Sequence, residues 1–188
     1  MEKYQENCWK YFPFYLVVLS ILNIARRYWM KIEVVNKMLS TYIVPLEFIF
    51  FFCIFYENSP KKAFFIIGGT IYLIAFLIEN IWVDSVKSNY FMSFSYSIGN
   101  IILLIFILEY FYRLMYSDRI LNFKRERMFW VSSGLLVFFL GTFPYFGLYN
   151  LLLTKHFKLL VSYTWVEIFL NYAMYLLFAA SFIWGKEK

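Results

Sequence analysis

The sequence predicts an all-α protein, a polytopic transmembrane bundle of six helices, with seven or five spans as the neighbouring alternatives. Three observations carry this. Of the 188 residues, 62% are hydrophobic and only 16% charged, against roughly 45–50% and about 25% in an average soluble domain. The mean hydropathy of +0.61 is gathered into long runs, and a bilayer core of roughly 30 Å asks for about 20 such residues per helix. Finally, the run 48–56 is apolar on every face, whereas barrel strands alternate apolar and polar over about 10 residues.

Taken in order, the first span covers 11–25, which is short for a bilayer and contains Pro13. Lys3 and Lys10 precede it as in a signal peptide, yet no small-x-small cleavage site follows and Ala25 runs into Arg26 and Arg27, so the segment is expected to be retained. The second span, 38–56, is interrupted only by Pro45 and Glu47, and the third, 63–83, carries Glu79 near its end. Spans at 90–112, 128–149 and 159–184 complete the set. The connections 57–62, 84–89 and 150–158 are short, and 26–37 and 113–127 are longer. None has room for a soluble domain, so 1–188 reads as one membrane domain with sequential helices antiparallel.

A net charge of +6 would suggest nucleic acid in a soluble chain. Here the cations stand at the ends of apolar runs, where they meet membrane lipids and set orientation, and no nucleic-acid partner is expected. With six spans, eleven Lys and Arg fall on the side of both termini and seven on the other. The excess places both termini in the cytoplasm. Cys8 and Cys53 cannot form a disulfide framework, and one histidine, His156, cannot build a Cys/His cage, so no metal is expected. There is no mid-span lysine, His-x-x-x-His pair, phosphate-binding loop or Gly-x-Ser-x-Gly elbow, and Asp84 and Asp118 stand in loops. Neither a catalytic residue nor a cofactor is expected.

Ionisable residues at bilayer depth cost about 2.5–3.5 kcal/mol on insertion scales, so each asks for a reason. Glu47 lies well inside the second span, two residues after Pro45, where the Thr41 carbonyl loses its N–H partner. It is read either as a carboxylate facing a cavity for a cation, proton or polar ligand, or as interhelical glue. Glu167 and Asn171 share a face of the sixth span, and Asn100 follows Gly99 in the fourth. These four, Glu47, Asn100, Glu167 and Asn171, are the candidate ligand or ion site, if their helices turn them to one polar interior. Glu109 and Arg113 are spaced for an interfacial salt bridge. In the fifth span, Gly134 and Gly141 form a stripe for close backbone approach, and Pro144 between Gly141 and Gly147 predicts a kink, as Pro45 does in the second. His156 reads as a solvated loop residue. Trp82, Trp130, Tyr149 and Trp184 are among the aromatic residues near span ends, as in an interfacial belt.

Several stretches resemble a group of small bacterial multi-pass proteins of unknown function: Tyr42-Ile43-Val44-Pro45-Leu46-Glu47-Phe48-Ile49-Phe50, Glu109-Tyr110-Phe111-Tyr112-Arg113-Leu114, and Phe129-Trp130 followed by Gly134-Leu135-Leu136 and Phe138-Phe139-Leu140-Gly141. The closing stretch from Asn171 to Trp184 is similar to that group's last helix, so the resemblance spans about 12–184. Members of that group have seven spans, of which this chain is expected to lack the first, and some stand beside sensor kinases; the resemblance implies a bacterial inner membrane and carries over no catalytic residues.

Three functions are in play. The first is a non-enzymatic accessory or signalling component that binds a membrane-protein partner, a second copy of itself or a small ligand within the bilayer. The second is a transporter or oligomeric channel, including a pore-forming defence effector. The third is a small intramembrane lipid enzyme resembling lysoplasmalogenases, with Glu47 and Glu167 as acid and base.

Overall fold

In hydrocarbon every peptide N–H and C=O needs a partner within the chain, and an apolar segment meets that demand most simply as a helix. The structure, a computed structural model, describes residues 12–18, 21, 33–84 and 92–185, with backbone alone at 33–42, 82–84, 153 and 157. These residues are helical almost throughout and contain no strand. The helices are α1 (12–18), α2 (Glu33–Glu57), α3 (Lys62–Asp84), α4 (Ser93–Met115), α5 (Arg127–Gly147), α6 (Tyr149–Lys155) and α7 (Phe157–Trp184), with a 3-10 helix, η1, at Asp118–Arg125.

Among the described residues, four helices are long and apolar enough to cross a membrane: Lys62–Ile81, Ser93–Met115, Arg127–Gly147 and Lys158–Trp184. The expected spans 63–83, 90–112, 128–149 and 159–184 fall on them, and 38–56 falls within α2. Most of the expected first span beyond 12–18, and the connections at 26–32 and 85–91, lie outside the described residues. The connections expected as loops at 113–127 and 150–158 instead contain η1 and α6. Both are too short and too polar to register as spans, yet each lays one apolar side on its neighbours.

Two compact units divide the chain, Met1–Met92 and Ser93–Lys188. The first is held by aromatic rings. Tyr15 of α1 stacks on Phe50 at 3.6 Å and meets Phe51 edge-on at 5.8 Å. Phe48 and Phe52 of α2 flank Tyr72 of α3 at 5.1 and 5.6 Å. Asn58 ends α2 by donating both its backbone N–H and its Nδ2 to the Ile54 carbonyl. The remaining surface of α3 shows Ile66, Ile67, Ile71, Ile74, Ile78 and Ile81, all exposed. Such an isoleucine face would aggregate in water but is inert against acyl chains.

In the second unit α5 is the common partner. Phe139, Thr142 and Phe146 meet α4, whereas Gly134, Gly141 and Tyr145 meet α7, two directions roughly 110° apart at 3.6 residues per turn. A Cβ added at Gly134 would stand 3.3 Å from the Met174 carbonyl, and one at Gly141 only 2.5 Å from Leu170 Cδ1. The glycine stripe is thus where the α5 backbone approaches α7. The helix continues through Pro144 for one turn and stops at Gly147, where the Leu148 N–H donates to the Pro144 carbonyl at 3.3 Å. Then α6 turns back, burying Leu152 against Tyr145 and Leu160. His156, exposed, separates α6 from α7, and its carbonyl accepts from the N–H groups of Leu159 and Leu160.

Candidate functional site

Most serine and threonine hydroxyls in the second unit are satisfied by their own helix. Ser97 donates to the Ser93 carbonyl, Ser133 to Phe129, Thr142 to Phe138 and Thr164 to Leu160, at 2.7 to 3.0 Å. This back-bonding makes serine and threonine tolerable in hydrocarbon. A carboxamide carries more donors and acceptors than its own helix can take up, and Asn100 finds its partner on another helix.

Asn100 is fully buried, and its Nδ2 donates to the Phe139 carbonyl of α5 at 3.0 Å. One turn earlier on α4, the Tyr96 hydroxyl lies 3.5 Å from Thr142 Oγ1, and its ring packs on Phe146 at 4.6 Å. At the end of this seam Asn150 donates to Ser93 Oγ at 3.1 Å. On the α7 side, the Tyr145 and Thr164 hydroxyls are 3.4 Å apart. The seam therefore joins α4, α5, α6 and α7 by polar contacts that are buried at Asn100 and Tyr96 and part-buried at Asn150 and Thr164. Asn100 Oδ1 and the Ser132 hydroxyl are buried without a hydrogen-bond partner.

The four candidate residues are distributed as follows. Glu167 and Asn171 occur at the middle of α7, both half-buried. They belong to a stripe, Leu160, Thr164, Glu167, Asn171, Met174 and Phe178, spaced by alternating steps of four and three, the period that keeps one helix face against its partner. Thr164, Met174 and Phe178 of that stripe touch α5. Asn100 meets α5 from a different side, through α4. Glu47 lies in the first unit, near the middle of α2, half-buried beside the buried Pro45.

Sequence reasoning missed two groups. In the first unit, Tyr72 and Glu79 of α3 are both buried, Tyr72 between Phe48 and Phe52. The signal was present, since Tyr72 and Glu79 are seven apart and share a face of α3. In the second unit, Tyr96 stands four residues before Asn100 and marks the same polar stripe. Among the described residues, no three His, Cys, Asp or Glu side chains gather as a metal ion would require.

The opposite end of the second unit is basic and aromatic. Arg113 Nε donates to Glu109 Oε2 at 2.8 Å, the expected pairing. Phe123 of η1 packs edge-on against Phe129 at 4.8 Å, and Trp130 Nε1 donates to the Lys124 carbonyl at 2.9 Å. Trp130 and Trp184 lie 5.0 Å apart, and Arg127 Nε donates to the Gly185 carbonyl at 3.3 Å. Compared with protein-family models, curated proteins and solved structures, the chain matches none.

Proposed function

We propose that this chain is a non-enzymatic, six-span inner-membrane protein, an accessory or signalling component that recognises a partner protein or small ligand within the bilayer. The observation that carries the reading is how the buried and half-buried polar groups of the second unit are engaged. Asn100 with Phe139, Tyr96 with Thr142, Tyr145 with Thr164 and Asn150 with Ser93 join helix to helix, the bonding of an assembling bundle. In this topology the segment 11–25, which contains α1, and α2 supply the first two spans. Arg113, Arg119, Lys124, Arg125 and Arg127 gather from the last turn of α4 to the first residue of α5 and hold that end in the cytoplasm together with the C-terminus. The resemblance to small bacterial multi-pass proteins, some beside sensor kinases, supports the accessory role, although that group has seven spans and six are proposed here.

Transport is the second reading, favoured by one observation: the carboxylate of Glu47 is half-buried near the middle of the largely apolar helix α2. The two separate on reconstitution into sealed vesicles with a trapped proton- or cation-sensitive dye. The accessory reading expects the signal of protein-free vesicles, unchanged in Glu47→Gln. A flux that Glu47→Gln abolishes replaces it with transport.

A further inference from the structure

The geometry points to a seat for anionic phospholipid headgroups on the connection between α4 and α5, built from Arg119, Lys124 and Arg125 of η1. Both flanking helices are long and apolar enough to cross a membrane, so the short η1 between them is confined to one membrane face. Its depth is marked by Trp130 and Trp184, whose rings meet at a tilt, 5.0 Å apart, within a turn of the ends of α5 and α7, the level aromatic belts occupy. The hydrogen bond of 2.9 Å from Trp130 Nε1 to the Lys124 carbonyl sets Lys124 and the adjoining Arg125 at the level of that belt, where lipid headgroups are found.

The segment is also shaped to stay there. Phe123 tucks against Phe129, Trp130 Nε1 holds the Lys124 carbonyl, and the Glu126 N–H closes the last turn on the Phe123 carbonyl at 3.0 Å. This folding leaves Arg119, Lys124 and Arg125 exposed, with Tyr112, Met115, Tyr116 and Leu121 exposed beside them. Cations next to exposed apolar and aromatic side chains match an anionic headgroup above and its acyl chain below. Arg113 and Arg127 are engaged with Glu109 and the Gly185 carbonyl, and the only acids within 113–127 are Asp118 and Glu126. The cationic excess therefore belongs to η1. The opposite end of α5 and α7 offers only Lys155 and Lys158 as cations within the described residues.

Lipid selectivity at the protein boundary measures this directly. The full chain is reconstituted in phosphatidylcholine vesicles, and spin-labelled phosphatidylglycerol is compared with spin-labelled phosphatidylcholine in the motionally restricted fraction. Each cation near an anionic lipid contributes roughly fivefold at low salt, so phosphatidylglycerol is preferred by at least about tenfold at its seat. High salt weakens the preference, because the screening length shortens to a few ångströms. The variant Arg119→Gln/Lys124→Gln/Arg125→Gln brings the preference close to unity while helix content by circular dichroism is retained, and Lys155→Gln/Lys158→Gln leaves it in place. A wild-type chain without preference, or a triple variant that keeps it, overturns the proposal and assigns the cations to another partner, such as an acidic protein segment. An equal loss in the lysine pair also overturns it. Absence of any restricted lipid would contradict membrane insertion itself, a different failure.

Discussion

Asn100 of α4 donates its Nδ2 hydrogen to the Phe139 carbonyl of α5 at 3.0 Å, while its Oδ1, equally buried, has no hydrogen-bond partner. The carboxamide is thus half satisfied, and the two halves have opposite effects. Losing an interhelical bond in a membrane costs about 0.6 kcal/mol on average and about 1.7 at most, whereas removing an unpaired buried acceptor returns some stability. Asn100→Ala is expected to destabilise by about 1 kcal/mol, bond and packing together. Asn100→Leu, close in volume and without the acceptor, is expected to lie nearer to neutral. Reversible unfolding in mixed micelles measures both. A loss above about 3 kcal/mol in Asn100→Leu would mean that Oδ1 is held by a bound water or ligand.

Gly134 and Gly141 face the same helix with different consequences. At Gly141 a methyl group would collide with the Leu170 side-chain tip, which can rotate away. At Gly134 it would press on the Met174 carbonyl, Leu177 Cβ and Phe178 Cε1 at 3.2 to 3.3 Å, and the carbonyl is part of the α7 backbone. Overpacking costs about 1–3 kcal/mol. Gly141→Ala is expected near the bottom of that range and to be rescued by Leu170→Ala, whereas Gly134→Ala falls higher and is not rescued by shortening Leu177. Equal effects at the two glycines, or no coupling between Gly141 and Leu170 in a double-mutant cycle, would contradict this account of the α5–α7 contact.

The glycine stripe was legible in the sequence because it is a spacing on one helix, as was the Glu109–Arg113 pair. The same is true of the helix ends: α3, expected at 63–83, runs Lys62–Asp84, and α7, expected at 159–184, runs Phe157–Trp184. Apolar length is a local property, and the bilayer fixes it. What a single sequence does not carry is the pairing of faces. Asn100, Glu167 and Asn171 are all polar residues within apolar spans, but Asn100 approaches α5 through α4 and the other two ride on α7. Tyr96, Thr142 and Tyr145 escaped notice because tyrosine and threonine are ordinary in spans, and only the fold sets them at 3.5 Å and 3.4 Å from their partners. Likewise η1 and α6 are too short to register by apolar length.

The Glu109–Arg113 pair offers a graded test. Its side chains are 16% and 26% exposed, so water and salt reach it in part. An i,i+4 pair on a helix contributes about 0.3–0.5 kcal/mol, less as salt screens it. A double-mutant cycle of Glu109→Gln and Arg113→Gln is expected to give a coupling of that size at low salt and close to none at high salt. A coupling above about 2 kcal/mol that ignores salt would place the pair within hydrocarbon, and α4 would sit deeper in the membrane than Trp130 and Trp184 imply.

Orientation can be read from two positions on either side of α5. Asp118 and Thr154 are exposed, one before the helix in η1 and one after it in α6. With Cys8 and Cys53 first replaced by serine, Asp118→Cys and Thr154→Cys each give a single thiol. The five cations from the last turn of α4 to the first residue of α5, against Lys155 and Lys158 beyond α5, predict that an impermeant maleimide modifies position 118 only in inverted vesicles and position 154 only in right-side-out vesicles. The reverse pattern would move η1 out of the cytoplasm while leaving α5 as a span. Modification of both thiols from the same side would remove α5 from the membrane-crossing helices, and with it the confinement of η1 to one membrane face.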